Sequence, residues 1–249
     1  MPDAWGGSTP KGAQGEVQAA SWVRDMFAQI APRYDLLNHL LSFNIDRGWR
    51  KALLASFDSI LALPQARILD LCCGTGDVML DLQADAKGTV MGADFCHPML
   101  VSAAQKSARS GRPARLFEAD ALNLPLPDDT LDAISVAFGF RNLANYAGGL
   151  NELRRVLKPG GLVAILEFSH PPNPIVKAGY NFYSRALLPL IGRAISGSRD
   201  AYSYLPESIG KFPQAQELQR MMERAGFGQT RYRPLSGGIA ALHTGENSP

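Results

Sequence analysis

Residues 68–77 read ILDLCCGTGD and hold the residue types best able to do chemistry in this 249-residue chain. A short apolar run contains Asp70, two cysteines follow, and Gly74-Thr75-Gly76 leads into a helical stretch. Glycines at such a position let a ligand approach the backbone closely. The stretch could therefore hold a dinucleotide, a cysteine-bound metal or redox centre, or another nucleotide-like ligand.

Two of these chemistries lack support in the rest of the chain. The dinucleotide fingerprint requires a third glycine three residues after Gly76, and Met79 occupies that position. Cys72 and Cys73 are adjacent, so they lack the two-residue gap of a redox pair, and the four histidines have no metal-ligand spacing. We therefore expect no metal site, and we expect the three cysteines to be reduced thiols of a cytosolic protein.

Acidic residues further along favour a nucleoside-bearing ligand. Asp94 ends the second apolar run, twenty residues after Gly74, where a carboxylate can accept hydrogen bonds from both hydroxyls of a ribose. That arrangement fits NAD and S-adenosylmethionine equally. Asp120 and Ala121 follow the third apolar run, where a polar side chain can reach an adenine edge, and residues 124–132 (LPLPDDTLD) lead into the fourth run.

The elements that must position these residues form a repeating pattern of strands and helices from residue 67 onward. Five apolar runs have strand character: ARILDLCC, TVMGADF, ARLFEAD, LDAISVAF and GLVAILEF. Helical stretches separate them, so the strands should form a parallel α/β sheet with helices on both faces. Two final runs, GQTRYRPL and GIAALHTG, flank Ser-Gly-Gly and should add an antiparallel C-terminal hairpin.

The pattern predicts a single domain over residues 17–249, a suitable length for one α/β fold. Residues 1–16 are rich in Gly, Ala and Pro, and we expect them to be a disordered tail. Residues 17–56 should form a helical cap. Residues 169–213 interrupt the strand pattern, and we expect this insertion on the substrate side, over the carboxyl ends of the strands.

Composition argues against two classes of function. The net charge of +2 and the lack of a basic stripe give no case for nucleic-acid binding. The longest late apolar stretch, residues 186–195, is too short to span a bilayer and contains Pro189 and Arg193. We therefore expect a cytoplasmic protein.

Taken in order, these features resemble the class I S-adenosylmethionine-dependent methyltransferases. Those proteins have an acid-x-Gly-x-Gly-x-Gly loop, an acid that ends the second strand, Asp-Ala after the third, and Leu-Pro-x-x-Asp before the fourth. The resemblance implies a seven-stranded, mostly parallel sheet and S-adenosylmethionine as the cofactor. This chain departs from the pattern at Cys72, which stands where the first glycine would be. We expect the backbone there to manage without a positive φ.

Longer stretches resemble one family, the ubiquinone/menaquinone biosynthesis C-methyltransferases. They are residues 34–51 (YDLLNHLLSFNIDRGWRK), 138–143 (FGFRNL), 155–161 (RVLKPGG), 166–171 (LEFSHP), 202–213, 218–227 and 237–245. The resemblance implies transfer of a methyl group to a ring carbon of a polyprenylated quinol. We expect demethylmenaquinol as the acceptor, with the 2-methoxy-6-polyprenyl-benzoquinol precursor of ubiquinone, or another lipidic phenol, as the alternative.

The same resemblance implies a set of site residues. For cofactor binding they are Gly74, Thr75, Gly76, Asp94, Asp120 and Ala121. For catalysis they are Tyr34, Asp77, Arg141 and Asn142. Arg141 should position a quinol oxygen or a water and favour the developing oxyanion.

Three of the catalytic candidates also have a purely structural interpretation. Arg141 could pair with an acid and fix its loop, and Tyr34 could be a core aromatic residue that caps the sheet. Asp77 could stabilise the positive N-terminal end of its helix.

The insertion combines apolar and basic residues. Apolar residues such as Ile191 alternate with cations that include Lys177, Arg185, Arg193 and Arg199. Such a segment can rest on an anionic bilayer, which would place the protein peripherally at the inner face of the cytoplasmic membrane. The alternative is an amphipathic helix packed on the sheet or on a second subunit in a homodimer.

Overall fold

The structure is a computed structural model that describes residues 6–8, 10, 12–31, 45–182 and 199–248. Its centre is a sheet of seven strands: β1 (Arg67–Leu71), β2 (Thr89–Asp94), β3 (Arg115–Glu118), β4 (Leu131–Ala137), β5 (Leu157–Phe168), β6 (Phe227–Leu235) and β7 (Ala240–Asn247). Their order is β3-β2-β1-β4-β5-β7-β6. The first five strands are parallel, whereas β7 is antiparallel to both β5 and β6. The predicted α/β fold with its antiparallel C-terminal hairpin is confirmed.

Helices connect the strands on both faces of the sheet. They are α1 (Glu16–Ile30), α2 (Asp46–Leu54), α3 (Asp58–Leu61), α4 (Asp77–Asp85), α5 (His97–Arg109), α6 (Tyr146–Val156), α7 (Pro174–Phe182), α8 (Arg199–Lys211) and α9 (Ala215–Arg224). A short 3₁₀ turn, Phe140–Asn142, follows β4. Within the described ranges, none of the helices has the length and apolar character needed to cross a membrane.

Alternation along the strands divides the core into two layers, because successive side chains point to opposite faces of a sheet. On β1, Leu69 packs in the layer that includes Leu150 of α6, whereas Ile68 packs in the layer that includes Leu82 of α4. All four side chains are fully buried. Since each contributes about 2 kcal/mol on burial, the two layers hold β1 rigidly from both sides. The loop that follows β1 therefore starts from a fixed point.

Local signals set the ends of α6. Its N-cap residue is Asn145, whose Oδ1 accepts a hydrogen bond from the backbone N–H of Gly148 at 2.8 Å. The helix ends at Val156, shortly before a Lys-Pro-Gly-Gly sequence (158–161). Gly160 in that sequence has a φ of 78°. The chain can turn there because glycine tolerates the left-handed region.

The N-terminal segment differs from the expectation of a disordered tail at residues 6–8. The backbone N–H of Gly7 donates to the carbonyl oxygen of Ala144 (3.0 Å), and that of Ser8 donates to the carbonyl oxygen of Leu143 (2.8 Å). Ser8 is buried. This part of the chain lies against the loop that follows β4, because its backbone groups find partners there.

The predicted cap and insertion are described in part. α1 and α2 belong to the cap, and α7 and α8 belong to the insertion. α8 contacts both α1 and the 3₁₀ turn after β4, so this part of the insertion lies at the carboxyl ends of the strands. The predicted helical sequence DLLNHLL (35–41) and the candidate Tyr34 lie outside the described residues.

The C-terminal hairpin carries a buried histidine. His243 of β7 pairs with Ile165 of β5, and its ring stacks on Tyr232 of β6. Its Nε2 donates to the carbonyl oxygen of Ala215 at 2.9 Å. Burial lowers the pKa of His243 from 6.5 to about 4, so the folded protein holds a neutral ring at pH 7.

His243 should make the folded state less stable in mild acid. At pH values between 6.5 and about 4, which are the pKa values of the unfolded and folded states, His243 is protonated in the unfolded chain but neutral in the folded chain. The contribution of neutral His243 to the free energy of unfolding is therefore complete above pH 6.5, and it decreases as the pH drops toward 4. Between pH 7.5 and pH 5, His243 should lower the free energy of unfolding of the wild-type protein by about 2 kcal/mol. We expect His243→Gln to lack this part of the pH dependence.

Urea unfolding at both pH values measures this difference. Wild-type protein measured under the same conditions is the reference. An unchanged pH dependence in His243→Gln would contradict the prediction.

Candidate active site

A cavity opens at the carboxyl ends of the parallel strands. The loops after β1, β2, β3 and β4 line it, and α1 contributes Ala20 and Phe27. β1 and β4 are neighbours in the sheet, but the helices that follow them pack on opposite faces. Because the loops after β1 and β4 lead to opposite faces of the sheet, they leave a crevice between them. Open α/β sheets bind ligands in such a crevice.

Asp94 joins two of the loops that line the cavity. Its Oδ2 accepts a hydrogen bond from the backbone N–H of Gly74 (2.8 Å), and its Oδ1 accepts one from the backbone N–H of Cys96 (2.9 Å). Burial raises the pKa of the Asp94 carboxyl, and the backbone donors oppose that shift. Each carboxylate oxygen can accept a second hydrogen bond. The predicted contacts to ribose hydroxyls are therefore chemically available.

Cys72 adopts a left-handed backbone conformation with a φ of 56°, so the expectation that this position avoids positive φ is wrong. Such a conformation costs a non-glycine residue about 1 kcal/mol. The neighbouring loop packs closely against this turn: a Cβ atom on Gly139 would lie 2.3 Å from the Cβ of Cys72. The two loops can pack this closely because position 139, which faces Cys72, is a glycine.

The remainder of the β1 loop lies behind the cavity wall. Gly76 has a φ of 87° and precedes α4, whose first residue is Asp77. Asp77 pairs with Nζ of Lys106 (2.6 Å) and with the guanidinium of Arg50 (3.2 Å). Lys106 Nζ also donates to Oγ1 of the buried Thr75 at 3.3 Å. In the described structure Thr75, Gly76 and Asp77 support the loop and do not line the cavity.

Asp120, Ala121 and Leu122 line the cavity after β3. Oδ1 of the exposed Asp120 accepts a hydrogen bond from the backbone N–H of Leu122 at 2.9 Å, which fixes the carboxylate at the start of the loop. Its other oxygen can accept from an exocyclic amino group. The cavity thus offers two carboxylates and apolar surface together, which suits an adenosyl group. Gly74, Asp94, Asp120 and Ala121 are the predicted residues that would hold it.

Asn142 also lines the cavity, whereas Arg141 lies behind it. The Arg141 guanidinium is 2.9 Å from Oε1 of Glu167, and its backbone N–H donates to Oε2 of Glu167 at 3.2 Å. Both side chains are almost fully buried, and the guanidinium lies over the ring of Phe168. The structural interpretation of Arg141, a pair with an acid that fixes its loop, matches these contacts.

Asp70 lies beneath the same loop, at the end of a buried strand. Its Oδ1 accepts a hydrogen bond from Oγ of Ser135 on β4 at 2.7 Å. Burial raises the pKa of Asp70 to about 7, and the negative charges of Asp94 and Asp77 act in the same direction. The proton that Asp70 holds below that pH limits the accumulation of negative charge under the cavity.

Several lining residues were not predicted from the sequence. They are Ala20, Phe27, Phe95, Met99, Leu122, Ala137, Phe138 and Gly139, with Leu71, Cys72, Ala119, Leu143 and Ala144. Position carries a signal for some of them, because Phe95 directly follows β2 and Phe138 directly follows β4. No local signal exists for Ala20 and Phe27, since α1 reaches the cavity only through the tertiary fold.

The comparison with protein families gives a match over almost the whole chain. A sequence model of the ubiE/COQ5 methyltransferase family matches residues 14–247. The chain belongs to this family. The resemblance stated from the sequence motifs is confirmed.

Curated relatives of this family member agree in length as well as in sequence. A protein of Thermus thermophilus named demethylmenaquinone methyltransferase is 49% identical over 89% of this chain and 99% of its own length. A protein of Syntrophotalea carbinolica named ubiquinone/menaquinone biosynthesis C-methyltransferase UbiE is 45% identical over 89% of this chain and 92% of its own length. Among solved structures, an S-adenosylmethionine-dependent methyltransferase of Aquifex aeolicus has the same fold, with a TM-score of 0.58 and 22% identity over 79% of this chain and 88% of that one.

The contact between Cys72 and Gly139 should be essential to the cavity of this ubiE/COQ5 family member. We expect Gly139→Ala to lower the free energy of unfolding by about 2 kcal/mol and to weaken S-adenosylmethionine binding, because the added Cβ forces the two loops apart. Cys72→Gly in the same chain should restore most of both losses, since it removes the conflicting Cβ.

Urea unfolding and calorimetric titration with S-adenosylmethionine measure the two effects. Gly48→Ala in α2 is the control, because a Cβ at Gly48 meets nothing within 4 Å. It should leave binding unchanged. Wild-type affinity in Gly139→Ala would contradict the close packing of these loops.

Proposed function

We propose that the protein transfers the methyl group of S-adenosylmethionine to a ring carbon of demethylmenaquinol, giving menaquinol. The observation that carries this proposal is the Thermus thermophilus relative, which aligns over 99% of its length and is named demethylmenaquinone methyltransferase. The cavity supports it, because the carboxylates of Asp94 and Asp120 suit the methyl donor and the apolar lining suits a quinol ring.

Carbon methylation needs an electron-rich ring carbon in line with the methyl group, at near-attack distance. S-adenosylmethionine supplies that methyl group on a positively charged sulfur when it is bound. The surrounding protein should exclude water, because water stabilises a charged ground state more than a transition state in which the charge is disappearing. Phe27, Phe95 and Phe138 provide much of the apolar lining and can serve this purpose.

On the acceptor side, Asn142 is the predicted catalytic residue that lines the cavity. Its amide can hydrogen-bond a quinol oxygen, which orients the ring and assists loss of the hydroxyl proton. Arg141 is farther back, and the buried Glu167 offsets most of its positive charge. These contacts favour a role for Arg141 in holding the turn that carries Asn142, while direct stabilisation of an oxyanion stays a prediction.

A second acceptor has a specific observation in its favour. The name of the Syntrophotalea carbinolica relative includes both ubiquinone and menaquinone biosynthesis. The alternative acceptor is therefore the 2-methoxy-6-polyprenyl-benzoquinol ring, or another lipidic phenol, with the same cofactor site. The naphthoquinol remains the leading acceptor because its name belongs to the relative with higher identity and more complete coverage.

Methyl transfer from labelled S-adenosylmethionine tests the choice of acceptor. Reduced demethylmenaquinol and the benzoquinol are supplied in separate reactions at equal concentration. We expect kcat/KM to be at least about tenfold higher for the naphthoquinol, because the larger ring buries more apolar surface in the cavity.

Asp94→Asn is the control for this assay, and it should lose S-adenosylmethionine binding together with all label transfer. Label only in the benzoquinol would reverse the assignment. Label in neither quinol, from protein that binds S-adenosylmethionine, would reject both.

The substrate's polyprenyl tail gives a reason for the protein to touch a bilayer, and we propose a cytoplasmic enzyme that binds the inner membrane face peripherally. α7 supports this proposal. Ile175 is 82% exposed on that helix, and Lys177 is exposed two residues later. A helix that exposes a branched apolar side chain and also carries a cation suits the interface of an anionic membrane.

Ile175→Ser should reduce binding to vesicles of phosphatidylethanolamine and phosphatidylglycerol by roughly tenfold, because burying an isoleucine side chain contributes about 2 kcal/mol. Flotation on a density gradient measures the bound fraction. Val101→Ser on α5 is the matched control, since Val101 is also exposed (44%) but lies on a different helix. Equal flotation of the two variants would exclude α7 from the membrane contact.

A further inference from the structure

Three polar side chains from distant parts of the chain form a hydrogen-bonded row that ends at the cavity. Oγ of Ser8 lies 2.8 Å from the hydroxyl oxygen of Tyr204. The Tyr204 hydroxyl donates to Oδ1 of Asn142 at 3.1 Å. Asn142 is the member that lines the cavity, while Ser8 and Tyr204 are only 2% and 4% exposed.

The direction of these hydrogen bonds follows from proton counting. Tyrosine has one hydroxyl proton, and Tyr204 uses it toward Asn142, so Ser8 must be the donor to Tyr204. Burial raises the pKa of Tyr204, which keeps that proton in place at neutral pH. Oδ1 of Asn142 is therefore engaged. Among the residues that the structure describes, Nδ2 of Asn142 has no hydrogen-bond partner, so the row leaves it available as a donor.

Packing around the row keeps it in place. The backbone of residues 7–8 donates to the carbonyl oxygens of Ala144 and Leu143, both of which line the cavity. A Cβ on Gly7 would lie 2.0 Å from the carbonyl carbon of Ala144, so only glycine allows this approach. On its other side, the ring of Tyr204 contacts Trp22 of α1, with 5.1 Å between the ring centroids.

We propose that Tyr204 is a positioning residue for the methyl acceptor. It holds the Asn142 amide with its oxygen toward α8 and its nitrogen as the donor to a quinol oxygen, and Ser8 fixes the Tyr204 hydroxyl from behind. The proposal rests on the proposed function, because it assigns the acceptor side of that same cavity. It also gives the N-terminal segment a part in acceptor binding, although that segment is distant in sequence from every motif of the site.

Tyr204→Phe removes the hydroxyl and keeps the ring against Trp22. We expect kcat/KM for demethylmenaquinol to fall about tenfold, while the Kd for S-adenosylmethionine stays within about twofold of wild type. Ser208→Ala is the matched control, because Ser208 is a buried hydroxyl of the same helix that donates only to the carbonyl oxygen of Leu205. It should leave kcat/KM unchanged.

A double-mutant cycle with Asn142→Ala separates positioning from a general structural role. If Tyr204 acts through the Asn142 amide, Tyr204→Phe should have almost no further effect on kcat/KM in the Asn142→Ala background. A purely structural tyrosine would lower kcat/KM by the same factor in both backgrounds, and that result would overturn the proposal. Single-turnover assays give the rates of the slow variants.

The remaining outcomes are also decisive. Wild-type kcat/KM in Tyr204→Phe overturns the positioning role, provided that the wild-type protein methylates demethylmenaquinol. If wild-type protein methylates neither quinol, the proposed function itself has failed. Should Tyr204→Phe fold poorly, Ser8→Ala takes its place in the cycle, with an expected loss of about threefold that disappears beside Asn142→Ala. Equal losses in both backgrounds would again overturn the proposal.

Discussion

A buried carboxylate that bonds to the backbone of two loops is the interaction on which this site depends. Asp94 ends a strand and accepts hydrogen bonds from the N–H groups of Gly74 and Cys96, so a single side chain sets the distance between the loops after β1 and β2. An unpaired carboxylate would be costly to bury. The hydrogen bonds offset that cost, and they leave both oxygens with capacity for a ligand. The same group that supports the two loops is therefore the one predicted to contact the cofactor.

Charge is arranged differently on the two sides of the cavity. Around the loops after β2 and β3, the carboxylates of Asp94 and Asp120 would suit a ligand that carries hydroxyl groups, amino groups and a positive sulfur, while burial raises the pKa of Asp70 beneath them to about 7. Behind the acceptor side, Arg141 and Glu167 form a buried pair with little net charge. The reaction consumes one positive charge, so a site with strong cations near the acceptor would oppose binding of the methyl donor. Pairing of Arg141 with Glu167 avoids this repulsion.

The sequence predicted what depends on local pattern and failed where the tertiary fold decides. The strands and helices were predictable because their apolar periodicity is regular, and Asp94 and Asp120 were predictable because Asp94 ends β2 and Asp120 lies two residues after β3. The turn at Cys72 was not, since a residue other than glycine adopts its positive φ and its close packing on Gly139 is a tertiary contact. Nothing near Tyr204 in the sequence indicates its contact with Asn142, because the two residues are 62 positions apart. Loops and tertiary contacts account for most of what was missed.

The positions of residues 6–8 and of Asn247 have a practical consequence for producing the protein. Residues 6–8 pair with the loop after β4, beside the cavity, so a purification tag fused shortly ahead of them would be tethered near the cavity. β7 runs antiparallel to β5, and its last residue, Asn247, therefore lies at the opposite edge of the sheet. A tag placed after Asn247 would keep the cavity clear, and kinetic comparisons between laboratories should depend on which end was chosen.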